Sequence, residues 1–587
     1  MSRSDQAVER TFLTHDDVSL FYRHWPAAGR ERRGAVVLFH RGHEHSARMA
    51  HLVDELDLPE FDFFAWDARG HGKSPGARGY SPSFADSVRD VDTFIRHIRD
   101  DYGIAVEDMA VVAQSVGAVL VSTWIHDYAP RLRCQVLAAP AFRVKLYVPL
   151  ARPGLRLMQR LRGNFFVTSY VKAKFLTKDE DRQASYDSDP LISRAISVNI
   201  LLELYDAAER VVDDAQAITV PTQVLISAKD WVVHHGPQHR FFERLGTSKK
   251  EKHVLDGFYH DTLGEKNRQE ATVKVRRFIA ECFAAPFEPP DLTRADRRGP
   301  TYDEAAALAQ PLALFSLRGL YWATARLNMK LGGLLSAGVR LGHATGFDSG
   351  STLDYVYRNQ ATGLGLVGRL VDRHYLNAIG WRGIRLRKRH LEALLRRAMA
   401  LLADAGSAVR IMDIAAGHGR YVLEALEGHG PHPESILLRD YSPLNVEDGS
   451  KLIEAKGLGH LARFELGDAF DDQSLAAVRP RPTLGIVSGL YELFPDNDAV
   501  RRSLAGLAAA IEPGGYVIYT GQPWHPQLEL IARTLTSHRQ GKAWVMRRRT
   551  QAEMDQLVAQ AGFEKLEQRI DPWGIFTVSL ARRNAPA

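Results

Sequence analysis

The chain has 587 residues, 45% apolar and 25% charged, with a formal net charge of +6 from 76 basic and 70 acidic side chains. At roughly 100–200 residues per domain this is a globular protein of several domains, and its small charge excess does not argue for a nucleic-acid partner. Its two cysteines, Cys134 and Cys282, exclude a disulfide framework and a Cys-based zinc cluster, and no other metal site is expected.

The two cysteines suit a reducing compartment. Residues 1–10 form no apolar signal core, and no uncharged apolar run reaches the roughly 18 residues of a membrane span, so the expectation is a cytoplasmic protein. Residues 11–25 alternate like a hairpin with Asp16 and Asp17 at the turn. Short apolar runs follow at 34–39, 61–66, 109–113, 135–139 and 222–227, each ending in a polar turn, with helical patterns such as 84–98 between them. That alternation predicts a parallel, doubly wound sheet.

A helical insertion interrupts the pattern at about 142–215 and reads as a cap. Residues 142–178 hold no Asp or Glu but carry Arg143, Lys145, Arg152, Arg156, Arg160, Arg162, Lys172, Lys174 and Lys178. The first domain is expected over 1–287. Pro289 and Pro290 open a linker, and residues 288–349 add basic, apolar helices with no acid between Ala305 and Phe347. A further basic run holds Arg382, Arg385, Arg387, Lys388 and Arg389. The second domain is expected over 350–587: helices first, then another αβ alternation from about 407. The fold expected is therefore α/β, with two doubly wound domains joined by a helical segment.

Ala113-Gln-Ser115-Val-Gly117 lies between a strand and a helix. A sharp turn there holds the serine hydroxyl exposed and needs small residues two before and two after it. A serine requires a base oriented by an acid, in the order Ser, Asp, His on this kind of sheet. Asp230, in Ser227-Ala-Lys-Asp-Trp231, and His260, at the end of Leu255-Asp-Gly-Phe-Tyr-His260, follow late strands in that order. The oxyanion hole needs two backbone N–H groups; Val116 and Gly42, in the loop His40-Arg-Gly-His-Glu-His-Ser46, are the candidates. His40, His43, His45, Asp67 and Arg69 read as loop-shaping.

On these motifs, and on Asp67-Ala-Arg-Gly-His-Gly-Lys-Ser-Pro75, the segment 34–280 resembles the monoglyceride lipase and lysophospholipase group of α/β-hydrolases, of the serine aminopeptidase S33 type. Two positions depart from the pattern: Ala113 replaces the first elbow glycine, and Arg41 stands where the family has Gly. The resemblance implies hydrolysis of a lipid-like or small carboxylic ester, of the monoacylglycerol or lysophospholipid type.

Farther on, Asp413-Ile-Ala415-Ala-Gly417-His-Gly419 joins a strand to a helix. A Gly-rich turn at such a place lets backbone approach a nucleotide-like ligand. Asp440 ends the next strand about 20 residues on, where a carboxylate accepts ribose hydroxyls. Asp468 ends a third strand and suits an adenine amino group. The ordered set resembles the class I S-adenosylmethionine methyltransferases, and within them an uncharacterised group; fusion to an α/β-hydrolase is a bacterial arrangement. Residue by residue, Asp413, Ala415, Gly417 and Gly419 match the first motif, with Ala415 in place of a glycine. Asp440 matches the ribose acid and Asp468 the adenine acid. The cofactor implied is S-adenosyl-L-methionine; a dinucleotide is the rival. Tyr491, Glu492, Trp524 and His525 lie where acceptors bind, with His525 a candidate base.

Stretches 143–178 and 311–345 mix apolar and basic residues without acids, which suits an anionic membrane surface, so peripheral attachment to the inner face of a membrane is expected. The reading is a bifunctional enzyme. A lipid hydrolase or acyltransferase regulated by a non-catalytic S-adenosylmethionine-binding half is the alternative.

Overall fold

The structure is a computed structural model that describes residues 2–29, 31–313, 315–427, 432–539 and 541–584. It divides into two compact units, 1–290 and 291–587. Residues 291–349, read from the sequence mainly as linker and helices, thus belong to the second unit.

In the first unit the strands are β1 (Val8–Leu13), β2 (Ser19–Trp25), β3 (Gly34–Phe39), β4 (Phe61–Trp66), β5 (Met109–Gln114), β6 (Cys134–Ala138), β7 (Phe166–Thr168), β8 (Ala195–Ser197), β9 (Thr222–Ser227) and β10 (Lys250–Leu255). The main sheet runs β1-β2-β4-β3-β5-β6-β9-β10. It is antiparallel at β1–β2 and β2–β4 and parallel from β4 onward. Strands β3, β4, β5, β6 and β9 are buried along their whole length. Helices cover both faces of such strands, which is why their sequences are continuous apolar runs rather than alternations. Helix Phe84–Tyr102 opens on the Ser83 side chain, which accepts from Asp86 N, and stops at Gly103 with φ 63°, a side-chain cap and a left-handed terminus.

Between β6 and β9 the chain leaves the sheet. It forms helix Ala151–Arg162, the antiparallel pair β7–β8, helix Glu180–Ser188 and helix Val198–Asp213. The last packs on helix Val116–Tyr128. Buried charges join them: Arg210 Nη2 donates to Asp127 at 2.9 Å and His126 Nε2 lies 2.9 Å from Asp214.

The second unit begins with helices, among them Leu317–Leu335, Gly365–Leu376 and Ile379–Asp404. Its sheet holds β11 (Arg410–Asp413), β12 (Ser435–Asp440), β13 (Ala462–Leu466), β14 (Leu484–Val487), β15 (Tyr516–Gly521), β16 (Phe563–Ile570) and β17 (Thr577–Arg583). The order is β13-β12-β11-β14-β15-β17-β16, with β17 antiparallel to both neighbours and the rest parallel. Strand order reverses between β11 and β14, and in such sheets ligands bind outside the carboxyl ends at that switch point. Leu391, Leu394, Leu395 and Ala398 of helix Ile379–Asp404 pack with Ile411, Ile436 and Ile486 on one face. Leu504, Leu507 and Val500 pack with Met412, Leu437 and Val487 on the other. Each such leucine, fully buried, contributes roughly 1.5–3 kcal/mol.

No helix among the described residues is long and apolar enough to cross a membrane.

Candidate active sites

Ser115 sits at the turn from β5 into helix Val116–Tyr128 with φ 56° and ψ −115°, a conformation costly for any residue with a Cβ. The turn closes because Gly117 has none: a Cβ there would stand 2.4 Å from the carbonyl oxygen of His40. Asp230 follows β9 and His260 follows β10, so all three residues emerge at the carboxyl ends of parallel strands.

The side chains meet. Ser115 Oγ is 2.7 Å from His260 Nε2, and His260 Nδ1 is 2.8 Å from Asp230 Oδ2. A proton on Nδ1, donated to the carboxylate, leaves the Nε2 lone pair for the serine O–H. Asp230 Oδ1 accepts the N–H groups of Val232 and Val233 at 2.7 and 3.0 Å. Burial alone pushes the Asp230 carboxyl up, but the adjacent His260 and these N–H donors outweigh it and hold the carboxyl below its usual range.

Gly42 and Val116 are neighbours: a Cβ on Gly42 would lie 3.2 Å from Val116 Cγ2. Among the described residues neither backbone N–H is engaged by another protein group. Arg41 is buried. Its Nη2 donates to Glu44 at 2.7 Å, where Arg48 also donates at 2.6 Å, and its Nε stands 3.9 Å from Asp261. Asp261 in turn accepts from Arg182 at 2.6 Å and Gln114 at 2.7 Å. The departure at Arg41 is therefore absorbed by carboxylates inside the protein. Asp67 accepts the N–H groups of Ser46 and Lys73, each at 2.7 Å, and Arg69 grips Asp16 and Asp90, so both hold loops.

In the second unit a cavity of about 680 Å³ opens at the carboxyl ends of β11–β14. Ala415, Gly417, Gly419, Asp440 and Asp468 line it. Gly419 has φ 70°, and a Cβ there would sit 2.3 Å from Leu438 Cδ1. Gly417 N donates to Asp440 Oδ2 at 2.9 Å; Oδ1 of Asp440 accepts from Ser442 N and Asn445, each at 3.0 Å. Asp468 Oδ1 accepts Phe470 N at 2.9 Å. Asp413 stands apart from the lining. Its carboxylate accepts Ala415 N at 3.1 Å and the Tyr421 hydroxyl at 2.5 Å, beneath the turn. Burial pushes its carboxyl up to about 7, against the opposing pull of the Tyr421 and Ala415 bonds.

A smaller chamber of about 100 Å³ adjoins the cavity and shares Asp348, Leu353, Arg387, Gly489 and Leu493 with it. Its wall is mostly apolar and includes Met329, Trp381, Ile384 and Phe576. Glu492 and His525 face it, whereas the Tyr491 hydroxyl turns away to Ser503 at 3.0 Å. His525 Nδ1 accepts Gln527 N at 3.0 Å, so its ring proton sits on Nε2, and burial lowers its protonation to about 3. The imidazole of this candidate base therefore turns its Nε2–H to the chamber, with Nδ1 accepting from Gln527 N.

Of the residues contributed by the helical region, Met329 and Leu353 carry no signal in the sequence beyond helical periodicity, Asp348 lies in a turn between helices, and Arg387 stands out only as one of a basic run. The cavity suits a nucleoside-bearing ligand: glycines bare its floor, two carboxylates stand at the ends of adjacent strands, and the buried Ser488 Oγ on its wall has no partner among the described residues.

The first unit has the α/β-hydrolase fold. Residues 30–267 match the family model described as "Serine aminopeptidase, S33". Residues 275–583, more than half of the chain, match the model described as "Putative methyltransferase", and the chain belongs to that family. An Escherichia coli (strain K12) protein, "Uncharacterized protein YnbC", is 59% identical over 583 residues, 99% of this chain and 100% of that one. The monoacylglycerol lipase of Mycolicibacterium smegmatis is 25% identical over 273 residues, 45% of this chain and 94% of that protein. A crystal structure of Paleococcus ferrophilus monoacylglycerol lipase superposes on 45% of this chain and 99% of its own, at 24% identity and a TM-score of 0.41.

Proposed function

We propose that the chain is a bifunctional enzyme: a serine hydrolase of lipid-like carboxylic esters, and an S-adenosylmethionine-dependent methyltransferase. The observation that carries the first half is the Ser115–His260–Asp230 relay, at 2.7 and 2.8 Å. Ser115 Oγ attacks the ester carbonyl carbon as its proton passes to His260 Nε2. The N–H groups of Val116 and Gly42 take the charge on the carbonyl oxygen. The carbonyl re-forms as the alcohol leaves with the proton from His260, and water, deprotonated by the same nitrogen, then releases the acid from Ser115. Asp230 orients the imidazole throughout. A monoacylglycerol is the ester class that the similarity to monoacylglycerol lipases favours, and a lysophospholipid carries the same single acyl ester.

For the second half, S-adenosylmethionine supplies an electrophilic methyl group on a sulfonium. Asp440 would accept from the ribose hydroxyls and Asp468 from the adenine amino group, and Gly417 and Gly419 would allow the backbone close approach. Asp413 keeps the turn in shape from below. The adjoining chamber excludes water around the acceptor, which methyl transfer requires more than it requires a base.

The cap meets an anionic membrane. Tyr147, Val148, Leu150, Leu157 and Leu161 are exposed beside Arg160 and Arg162. Arg152 and Arg156 are engaged within the cap by Asp206 and Glu209, which thins the basic face expected from the sequence.

Fluorophosphonate labelling tests the hydrolase: wild type labels and Ser115→Ala does not. Labelling of Ser115→Ala at the wild-type rate would remove Ser115 as nucleophile. Calorimetry with S-adenosylmethionine tests the second half, and absence of binding by the intact chain would overturn it.

A further inference from the structure

Helix Leu317–Leu335 is inverted relative to an ordinary surface helix. Its inward stripe is Gly319, Trp322, Ala325, Met329 and Gly333, small residues and two large ones at helical spacing. Its outward stripe is Leu317, Leu320, Tyr321, Leu327, Leu331 and Leu334, each between 51% and 88% exposed. Helix Gly365–Leu376 packs beside it and repeats the pattern: Gly368, Asp372 and Tyr375 are buried, while Leu366, Val367 and Leu370 are 62–78% exposed. Scattered surface leucines need no explanation, but a contiguous patch of this extent marks a contact surface.

The charge on the patch selects the occupant. No Asp or Glu lies between Ala305 and Phe347. The acids nearest the patch are engaged: Asp348 accepts from Ser537, Asp354 from Arg420, Asp372 from Ser336, and the partly exposed Glu529 of the neighbouring helix from Arg318 and Trp322. Arg326, Lys330, Arg369 and Arg373 are exposed on the same two helices. A second copy would set this basic face against itself. An anionic bilayer complements both its apolar stripe and its charge.

The other side of the same helices points to what is taken from the bilayer. Met329 and Tyr375 line the small apolar chamber beside the 680 Å³ cavity. Within that chamber Gln522 Nε2 and Trp544 Nε1 are buried without a hydrogen-bond partner among the described residues. His525 presents its Nε2–H, and Arg387, whose burial is outweighed by Tyr357 and Glu492, keeps its charge. The bases are already engaged: Gln527 N occupies the His525 lone pair, Ser537 and His538 hold Asp348, and Glu492 faces Arg387 at 3.4 Å. With Asp348 held by Ser537 and His538 and Glu492 facing Arg387, the donors of Gln522, Trp544, His525 and Arg387 suit an oxygen that arrives ionised.

Resting on the methyltransferase reading, we propose that this unit docks on an anionic bilayer through helices Leu317–Leu335 and Gly365–Leu376 and methylates a long-chain carboxylate drawn from it. A carboxylate oxygen forms a bond to the methyl carbon as the sulfur–methyl bond breaks. The electron pair of that bond stays on sulfur, the two opposite charges are neutralised, and no proton moves. The class of reaction that supplies such an acid is ester hydrolysis, the chemistry proposed for Ser115.

The test uses the full chain, methyl-labelled S-adenosylmethionine and oleate-bearing phosphatidylcholine vesicles with or without phosphatidylglycerol. The expected product is a labelled methyl ester, released as methanol by alkali and formed faster on phosphatidylglycerol vesicles. Leu327→Asp combined with Leu331→Asp, both surface changes, lowers the yield on those vesicles roughly tenfold or more, with affinity for S-adenosylmethionine unchanged. Equal yields from the wild type and the double variant, or a wild-type dimer that the substitutions break apart, overturn the docking face. Alkali-stable label, or no label from protein that binds S-adenosylmethionine, overturns the carboxylate acceptor. Failure to bind S-adenosylmethionine at all defeats the methyltransferase reading first.

Discussion

His260 Nε2 stands 2.7 Å from Ser115 Oγ while its Nδ1 stands 2.8 Å from Asp230, so one imidazole spans a strained serine and a carboxylate kept ionised by its neighbours. Asp230→Asn removes the acceptor that fixes the Nδ1–H tautomer. Its kcat for a short-chain ester is expected to fall by about 10³–10⁴, with KM little changed. A fall of less than tenfold in steady-state kinetics would mean that another group orients His260.

Arg41 is a stabilising residue rather than a flaw in the loop. Arg41→Gly removes a buried guanidinium that shares Glu44 with Arg48, and the expected loss is about 1.5–3 kcal/mol, the cost of one hydrogen bond to a charged partner. Because Arg48 still holds Glu44, fluorophosphonate labelling of Ser115 persists in the folded variant. Thermal melting and labelling together check this.

Asp440 is predicted to govern cofactor affinity alone. Asp440→Ala removes a hydrogen-bonding carboxylate from the cavity and weakens S-adenosylmethionine binding roughly 10- to 100-fold. Ester hydrolysis by the same variant stays at the wild-type rate. Unchanged affinity in calorimetry would contradict the ribose assignment.

Asp413 predicts a pH dependence of stability. Its folded carboxyl is raised to about 7 from an ordinary 3.8, so the folded state binds the proton more tightly than the unfolded state. The contribution of this group is fully favourable below about pH 4. It is lost as pH rises toward 7, because above that a charge must be held in a buried site. Asp413→Asn therefore stabilises the second unit more at pH 8 than at pH 5. Melting curves at the two values check it, and an equal change at both would rule out the titration.

Much of the fold was legible because its signals are local. The runs at 34–39, 61–66 and 222–227 coincide with strands that are buried on both faces, and burial on both faces is what makes such runs continuous. Ser115 follows β5, Asp230 follows β9 and His260 follows β10, and the structure brings the three together. What was not legible depends on partners distant in the chain. That Arg41 meets Asp261, or that Arg152 meets Glu209, is set by packing between elements. Asp413 and Asp440 look equivalent in sequence, each ending a strand, yet one lies under the turn and the other on the cavity wall. Helical periodicity at 317–335 shows which residues share a face but not which face is turned inward. The chamber built from Met329, Leu353 and Arg387 was therefore invisible until the fold was known.

The most direct test of the two-enzyme account is label transfer from methyl-labelled S-adenosylmethionine into a bacterial lipid extract, run in parallel with wild type, Ser115→Ala and Asp440→Ala. The account predicts label in lipid with the wild type and a strong loss with Asp440→Ala. With Ser115→Ala it predicts a loss that is restored by adding free long-chain acid. Label that is indifferent to Asp440, or none from wild-type protein that demonstrably binds S-adenosylmethionine, would contradict it.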